Sequence, residues 1–284
     1  MNQRKQASKR RRSILDASLL DPPQLSRSGA NVTADERQIH AFQQLLEHLE
    51  VRYFALVSSF ETLRPLWKNR ELEKQLIRQG KIWGAYVVGH SLLDASIIYC
   101  YSLLKDGNAS NPTLKTLIRP FLPKNQAKNA GLLQRLACLF IESQMREHGA
   151  GRLSPAKKKM SALQREKSAE RYRREFLQMI DTLAEDWALL EKASQKFGKY
   201  RGKWIAHFEV EYDEKMKKFR MPKLPTNRKL YATLSQVVRV VSRSFTDLHF
   251  VLTGVGTSAK LYQDDARRDA ERYWGLRKDI WVRE

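Results

Sequence analysis

The residue types in this chain that are best suited to chemistry are an arginine and a histidine six positions apart. Arg201 and His207 lie in the stretch KYRGKWIAHF, inside a segment of otherwise helical character. An arginine stays cationic at physiological pH and offers a planar set of donors to a phosphate, whereas a histidine can take up or release a proton near pH 7. A metal-free RNA-cutting site could use this pairing.

The spacing by itself is not specific. With 28 arginines and six histidines among 284 residues, allowing four to six intervening residues predicts about two chance matches. The chain contains two, and the second joins Arg243 to His249. Apolar residues recur at helical spacing in that segment, His249 borders the predicted buried stripe, and Arg243 falls on the polar face. We therefore interpret the second pair as structural.

The residues that flank the first pair carry a resemblance to a known family. The stretch KYRGKWIAHFE resembles the signature of the HEPN superfamily, and more narrowly that of its AbiU-type abortive-infection branch. In that branch a helix ends in an arginine, a short basic and apolar run, and then Ala-His before an apolar residue. The similarity also takes in WGAYVVGHSLLDASIIYCYSLL, NPTLKTLIRPFL and residues 231–252, although only the short stretch is a specific motif.

The resemblance implies an all-helical homodimer in which the arginine and histidine of both subunits line one cleft. It also implies a metal-independent endoribonuclease of a toxin or abortive-infection defence system, with an antitoxin or other regulator as a further partner and no cofactor. Arg201 would stabilise charge on the phosphate, and His207 would act as general acid or base. The RNA 2'-hydroxyl would attack the adjacent phosphorus, so DNA would be spared.

The spacing suits a site that is completed by a second subunit. Six residues of an ideal helix place Arg201 and His207 about 120° apart around the axis and about 9 Å apart along it. The two side chains would not touch, but they could form two edges of a groove. The same spacing also suits a solvent-exposed arginine at a helix end and a histidine that caps a buried face.

Two positions depart from the family pattern. Gly202 follows the arginine where many members have a polar residue, so Arg201 would be less well oriented and catalysis could be weakened or lost. A catalytically silent helical nucleic-acid-binding or scaffold protein is therefore the alternative. Glu209 replaces the tyrosine that one regulated subgroup carries two residues after the histidine, and the nearest tyrosine is Tyr212. Regulation by nucleotide transfer onto that tyrosine is not predicted.

The net charge of +21 is concentrated in residues 2–12, 152–174 and 215–229. Charge that is organised into patches is expected where a polyanion is attracted and oriented, although such runs are also common as solvated faces. We therefore expect RNA or DNA contacts. The candidate contacts are nine of the lysines and arginines of the second and third stretches, namely Lys157, Lys158, Lys159, Arg171, Arg173, Arg174, Lys217, Lys218 and Arg220.

Other residues could support the site. Asp94 lies four residues after His90 on an apolar helix, where the two most simply form a buried hydrogen-bonded pair. If that helix packs beside the one that carries Arg201, Asp94 would support the site from behind. Lys203 would bind phosphate or face solvent, and Tyr200 could stack on a base.

Composition and periodicity predict the fold. A content of 42% apolar residues is enough for a substantial core, and no alternating pattern of useful length indicates a strand. We predict an all-α fold, an antiparallel helical bundle of the HEPN type with a long basic helix extension. A basic, disordered tail is expected over 1–33, a helical domain over 34–256 with a basic arm near 152–174, and a charged C-terminal helix over 257–284.

Several predicted elements position the site. Helical spacing predicts helices over 34–67 and 70–105, and a long helix after the Ser154-Pro155 pair. Gly198 is predicted to separate that long helix from the one bearing Arg201 and His207.

Compartment and membrane association can also be predicted from the sequence. Two cysteines without a short-spaced framework indicate a reducing compartment, and we expect a cytoplasmic protein without zinc.

Residues 82–104 are long enough to span a bilayer. They contain His90 and Asp94 near their middle, and a carboxylate there would cost about 2.5 to 3.5 kcal/mol. We interpret this segment as a central helix buried by protein and expect no membrane partner.

Overall fold

The computed structural model describes residues 34–105, 111–149, 162–202, 211–213, 218–220, 227–256 and 259–276. These residues form an all-α fold, as predicted, with one short hairpin. The helices in chain order are α1 (Ala34–Lys68), α2 (Arg70–Arg78), α3 (Ile82–Leu104), α4 (Leu114–Ile118), α5 (Pro123–Gln126), α6 (Ala130–Gly149), α7 (Ala162–Tyr200), α8 (Asn227–Thr253) and α9 (Ala259–Trp274). Single 3-10 turns cover Arg119–Phe121 and Ala127–Asn129.

The hairpin was not predicted. It consists of β1 (Glu211–Asp213) and β2 (Lys218–Arg220), which pair antiparallel with Tyr212 opposite Phe219. A strand of three residues is too short to produce a detectable alternation of apolar and polar residues, so sequence periodicity does not find it. The Ser154-Pro155 pair, predicted to precede the long helix, lies outside the described residues.

The segment predicted as one helix over 70–105 is two helices, α2 and α3. They are separated at Gly80, which has a φ of +66°, and Lys81 N–H donates to the Leu76 carbonyl at 2.8 Å to close the end of α2. Glycine adopts this left-handed conformation without a steric cost, which makes it the common residue at helix C-termini. At the other end of α2, the Asn69 side chain accepts two backbone N–H bonds of the first turn, each 3.0 Å long.

The described residues belong to two compact units. The first unit contains the described parts of Met1–Leu45, Thr116–Glu185 and Asp247–Gly256. Its core includes Phe140 and Phe176, whose ring centroids are 5.9 Å apart. This unit therefore has an aromatic centre between α6 and α7.

The second unit contains the described parts of Leu46–Lys115, Asp186–Thr246 and Thr257–Glu284. In its core Tyr53 stacks on Phe245, with ring centroids 4.6 Å apart. Burial raises the pKa of the Tyr53 phenol to about 12, so the buried hydroxyl stays protonated. All of α3 and the end of α7 belong to this unit. The candidate site residues near the motif that are described, Asp94 and Arg201, therefore lie in this unit.

The predicted helix break at Gly198 is wrong. Helix α7 runs through it to Tyr200, and a π-helical turn follows at Arg201 and Gly202. A β-carbon at Gly198 would lie 2.9 Å from Cε2 of Tyr101, closer than real β-carbons approach other atoms. The glycine therefore serves close packing of α7 against α3 and does not end the helix.

One face of α3 is buried and the opposite face is exposed. Leu93, Ile97 and Cys100 are fully buried, whereas Trp83 is 78% exposed and Val87 is 66% exposed. The prediction of a central helix buried by protein thus holds for one face. Among the described helices, α3 alone is long and apolar enough to cross a membrane, and 39% of its most apolar window is buried.

Candidate functional site

Arg201 is exposed at the carboxyl end of α7. Its guanidinium carbon lies 5.3 Å from the centroid of the Tyr101 ring on α3. A cation over an aromatic face is stabilised by about 0.5 to 1 kcal/mol at an exposed site. Because the side chain stays exposed in this contact, its N–H groups can also bind a phosphate.

Asp94 lies beside the helix that carries Arg201. The Tyr200 hydroxyl donates a hydrogen bond to Asp94 Oδ1 at 3.1 Å. Burial raises the pKa of the Asp94 carboxyl, while the bond from Tyr200 and the charge of His90 act in the opposite direction. Burial and the Asp94 charge raise the pKa of the Tyr200 phenol, which therefore stays a donor. This bond ties the last turn of α7 to α3, one residue before Arg201.

The burial predicted for the pair of His90 and Asp94 is wrong. His90 is exposed and Asp94 is only half-buried, so His90 acts on the carboxylate as a nearby charge at the surface. Tyr200, which was predicted to be able to stack on a base, uses its hydroxyl to hold Asp94.

We call the group formed by Arg201, Tyr101, Tyr200 and Asp94 the Arg201 cluster. Tyr101 is the member that was not predicted from the sequence. It lies seven residues after Asp94, and a spacing of seven returns to nearly the same face of a helix. The i, i+7 relation could therefore have linked the two residues, but nothing local indicates that this face meets Arg201.

The structure describes only part of the predicted site. The proposed general acid or base His207 and the supporting Lys203 lie outside the described residues, as do the candidate contacts Lys157, Lys158, Lys159 and Lys217. Only the backbone is described for Lys218 and Arg220, which belong to β2. Within the described ranges, no group of three His, Cys, Asp or Glu residues could hold a metal ion.

Three of the predicted contacts, Arg171, Arg173 and Arg174, lie in the described part of α7. Arg171 pairs with a glutamate one turn later at 2.9 Å and lies over the ring of the next residue, while Arg174 pairs with a glutamate one turn earlier at 3.9 Å. Arg173 is partly buried. Exposed pairs of this kind contribute little to stability, because water and salt screen them. A phosphate could therefore displace the glutamates from Arg171 and Arg174 at little cost.

The second Arg–His match has a structural explanation. Arg243 donates from Nε to Asp186 Oδ2 at 2.9 Å and from Nη2 to the other carboxylate oxygen. The Asp186 side chain is almost fully buried and also accepts a bond from the Ser244 hydroxyl. Arg243 thus neutralises a buried carboxylate, in agreement with the interpretation of this pair as structural.

The all-α fold is consistent with a helical protein of the HEPN class. The chain matches the HEPN family model described as AbiU2 over residues 36–273. Because this match covers more than half of its length, the chain belongs to the AbiU2 family, an abortive-infection group of HEPN proteins. No curated protein and no solved structure matches the chain.

Proposed function

We propose that this AbiU2-family protein is a metal-independent endoribonuclease of a toxin or abortive-infection defence system. The observation that supports the proposal is the position of Arg201, which is exposed at the end of α7 and backed by Tyr101. A cation held in this way can stabilise the charge that develops on a phosphate during transfer. His207, assigned from the family motif, supplies the proton transfer.

The proposed reaction breaks one phosphodiester bond. The RNA 2'-hydroxyl loses its proton and its oxygen attacks the adjacent phosphorus. The 5'-oxygen then leaves with a proton, and the other fragment ends in a 2',3'-cyclic phosphate. Asp94 acts as a positioning residue, because it holds Tyr200 and so fixes the turn before Arg201. Lys203 adds positive charge for the phosphate, and the cytoplasm is where the RNA substrate would be met.

A ribonuclease assay tests this proposal. Purified protein is incubated with total RNA in EDTA, and the product ends are analysed. Arg201→Ala and His207→Ala should each cut at least about a hundredfold more slowly, a loss typical for removing one transition-state stabilising group. Lys199→Ala is the matched control, because Lys199 is an exposed cation on the same helix end. Full cleavage by His207→Ala would overturn the proposal.

We further propose that a second copy covers the exposed face of α3. That face carries Trp83, Val87 and Ile98, all exposed and apolar, and the half-buried Asp94 lies seven residues after Val87 on the same side. A partner there would bring its own Arg–His pair to the same cleft. Sedimentation velocity should show a dimer for wild type and a monomer for Val87→Glu. Leu261→Glu, at a 59% exposed position on α9, should stay dimeric.

The alternative function is RNA or DNA binding without cleavage. Its support is Gly202, because a β-carbon there would contact nothing within 4 Å among the described atoms. A polar side chain of the kind common in the family would therefore fit. If wild type binds RNA in a salt-dependent manner but does not cut it, and Gly202→Asn cuts it, the site has been silenced by this substitution. If neither protein cuts, an antitoxin or other regulator is the next partner to test.

A further inference from the structure

The second unit contains a polar cleft that shares no residue with the Arg201 cluster. It has a volume of about 210 Å³. Four cationic side chains line it, and they come from three helices: Arg64 and Lys68 from α1, Arg239 from α8 and Arg267 from α9. Lys68 and Arg239 are exposed and the two other cations are partly buried, and like charges gathered in this way attract an anion.

One carboxylate in the cleft offsets only part of this charge. Glu61 is buried, with Arg64 Nη1 at 3.4 Å and Arg267 Nε at 3.7 Å from its Oε2 atom. Charge-assisted bonds are usually about 2.7 to 2.9 Å long, so neither contact is a tight ion pair. Nε of Arg267 is buried and makes no hydrogen bond within the described part of the chain. The cleft therefore keeps a net positive charge, and a buried nitrogen of Arg267 lies beyond hydrogen-bond distance of the carboxylate with which it forms an ion pair.

The walls of the cleft are fixed by contacts among neutral residues. Ser242 Oγ accepts bonds from the Tyr53 hydroxyl at 2.8 Å and from Gln263 Nε2 at 2.6 Å. Tyr231 stacks on Phe60 and on a tryptophan of α1, with both centroid distances 5.5 Å. A wall that is ordered before binding lowers the entropy lost when a ligand binds.

We propose that this cleft binds the phosphate group of a small phosphorylated ligand. Guanidinium groups bind phosphate through paired N–H donors, and the cleft offers three of them together with a lysine. Its volume is smaller than the roughly 300 to 1,000 Å³ of pockets that enclose a drug-sized molecule. A phosphate or diphosphate fits inside, whereas a nucleobase attached to it would stay outside. The inference does not depend on the proposed ribonuclease activity.

Titration calorimetry of the full chain tests this assignment. The probes are orthophosphate, pyrophosphate and AMP at constant ionic strength, so that general charge screening is matched. Arg267→Gln and Arg239→Gln should each weaken binding about tenfold or more, because each removes a charged donor. The matched control is Arg268→Gln, since Arg268 is the exposed neighbour of Arg267 on α9 and pairs with Asp265. The control should bind within about twofold of wild type.

A variant with the opposite expected effect separates binding from loss of fold. Glu61→Gln removes the carboxylate that competes with the ligand for two guanidinium groups, so it should bind pyrophosphate several-fold more tightly than wild type. Comparable affinities for orthophosphate and AMP would identify free phosphate as the ligand. A higher affinity for AMP would identify a phosphate ester. Either outcome supports the site. Absence of saturable binding, equal binding by Arg267→Gln and wild type, or binding of long RNA alone would overturn it.

Discussion

Gly198→Ala tests whether close packing of α7 against α3 depends on the absence of a side chain at this position. The added methyl group would lie 2.9 Å from Cε2 of the Tyr101 ring, so the ring or the helix must move. The Tyr101 ring supports Arg201, and the neighbouring Tyr200 bonds to Asp94. The substitution should therefore disturb the cluster as well as the packing.

Two opposing effects set the magnitude of the change. Glycine inside a helix costs about 0.5 to 1 kcal/mol relative to alanine, so the replacement alone would stabilise the protein by that amount. Overpacking a close contact costs about 1 to 3 kcal/mol. We therefore expect Gly198→Ala to lower the free energy of unfolding by about 0 to 2.5 kcal/mol. Gly84 on α3 is the matched control, because its β-carbon would contact nothing within 4 Å of the described atoms. Gly84→Ala should raise the free energy of unfolding by about 0.5 to 1 kcal/mol.

Urea unfolding followed by far-UV circular dichroism measures both variants. A double-mutant cycle with Tyr101→Ala provides the sharper test, because removing the ring also removes the clash. In the Tyr101→Ala background, Gly198→Ala should become stabilising, as Gly84→Ala is in wild type. If Gly198→Ala stabilises wild type as much as Gly84→Ala does, the close approach of the two helices at this point is refuted.

Three further changes have expected outcomes. Asn69→Ala should lower the free energy of unfolding by about 1 kcal/mol because two N–H groups at the start of α2 lose their acceptor; an unchanged urea midpoint would contradict this. Arg243→Met should lower the free energy of unfolding by about 2 kcal/mol, since buried Asp186 loses two charged hydrogen bonds. Among its described hydrogen bonds, Asp186 then keeps the one from the Ser244 hydroxyl. A loss below about 0.5 kcal/mol would show that the pair of Arg243 and Asp186 is not structural. Burial raises the pKa of Glu61 above its ordinary value of 4.5, so this group stabilises the fold below pH 4.5 and that contribution is lost as pH rises through the raised pKa. The stability of Glu61→Gln relative to wild type should therefore increase from pH 4.5 to 7, and parallel pH profiles would refute the shift.

Periodicity predicted the long helices well because each of them repeats its apolar residues over several turns. It predicted α2 and α3 as one helix, because their apolar residues keep a similar spacing across Gly80. The cap formed there depends on backbone hydrogen bonds that a pattern of side chains does not report. It also treated Gly198 as a helix end, although this glycine accommodates the Tyr101 ring within the helix.

Part of the candidate site could be predicted and part could not. The motif identified Arg201, and the spacing within α3 suggested Asp94 as a supporting residue. The pair of Asp94 and His90 was wrongly expected to be buried, because a spacing of four residues indicates a shared helix face but not whether that face is buried. The role of Tyr101 could not be predicted, since it arises from contact between two helices.

Residue types and their order along the chain determined the all-α character, the location of positive charge and the identity of the charged group at the end of α7. These are local properties, which depend on neighbours within a few turns. Only the tertiary structure decided that Tyr101 meets Arg201 and that Asp94 meets Tyr200, because about a hundred residues separate the members of each pair and helix packing brings them together. The same holds for the polar cleft, since its four cations come from three helices and no local pattern could have assembled them.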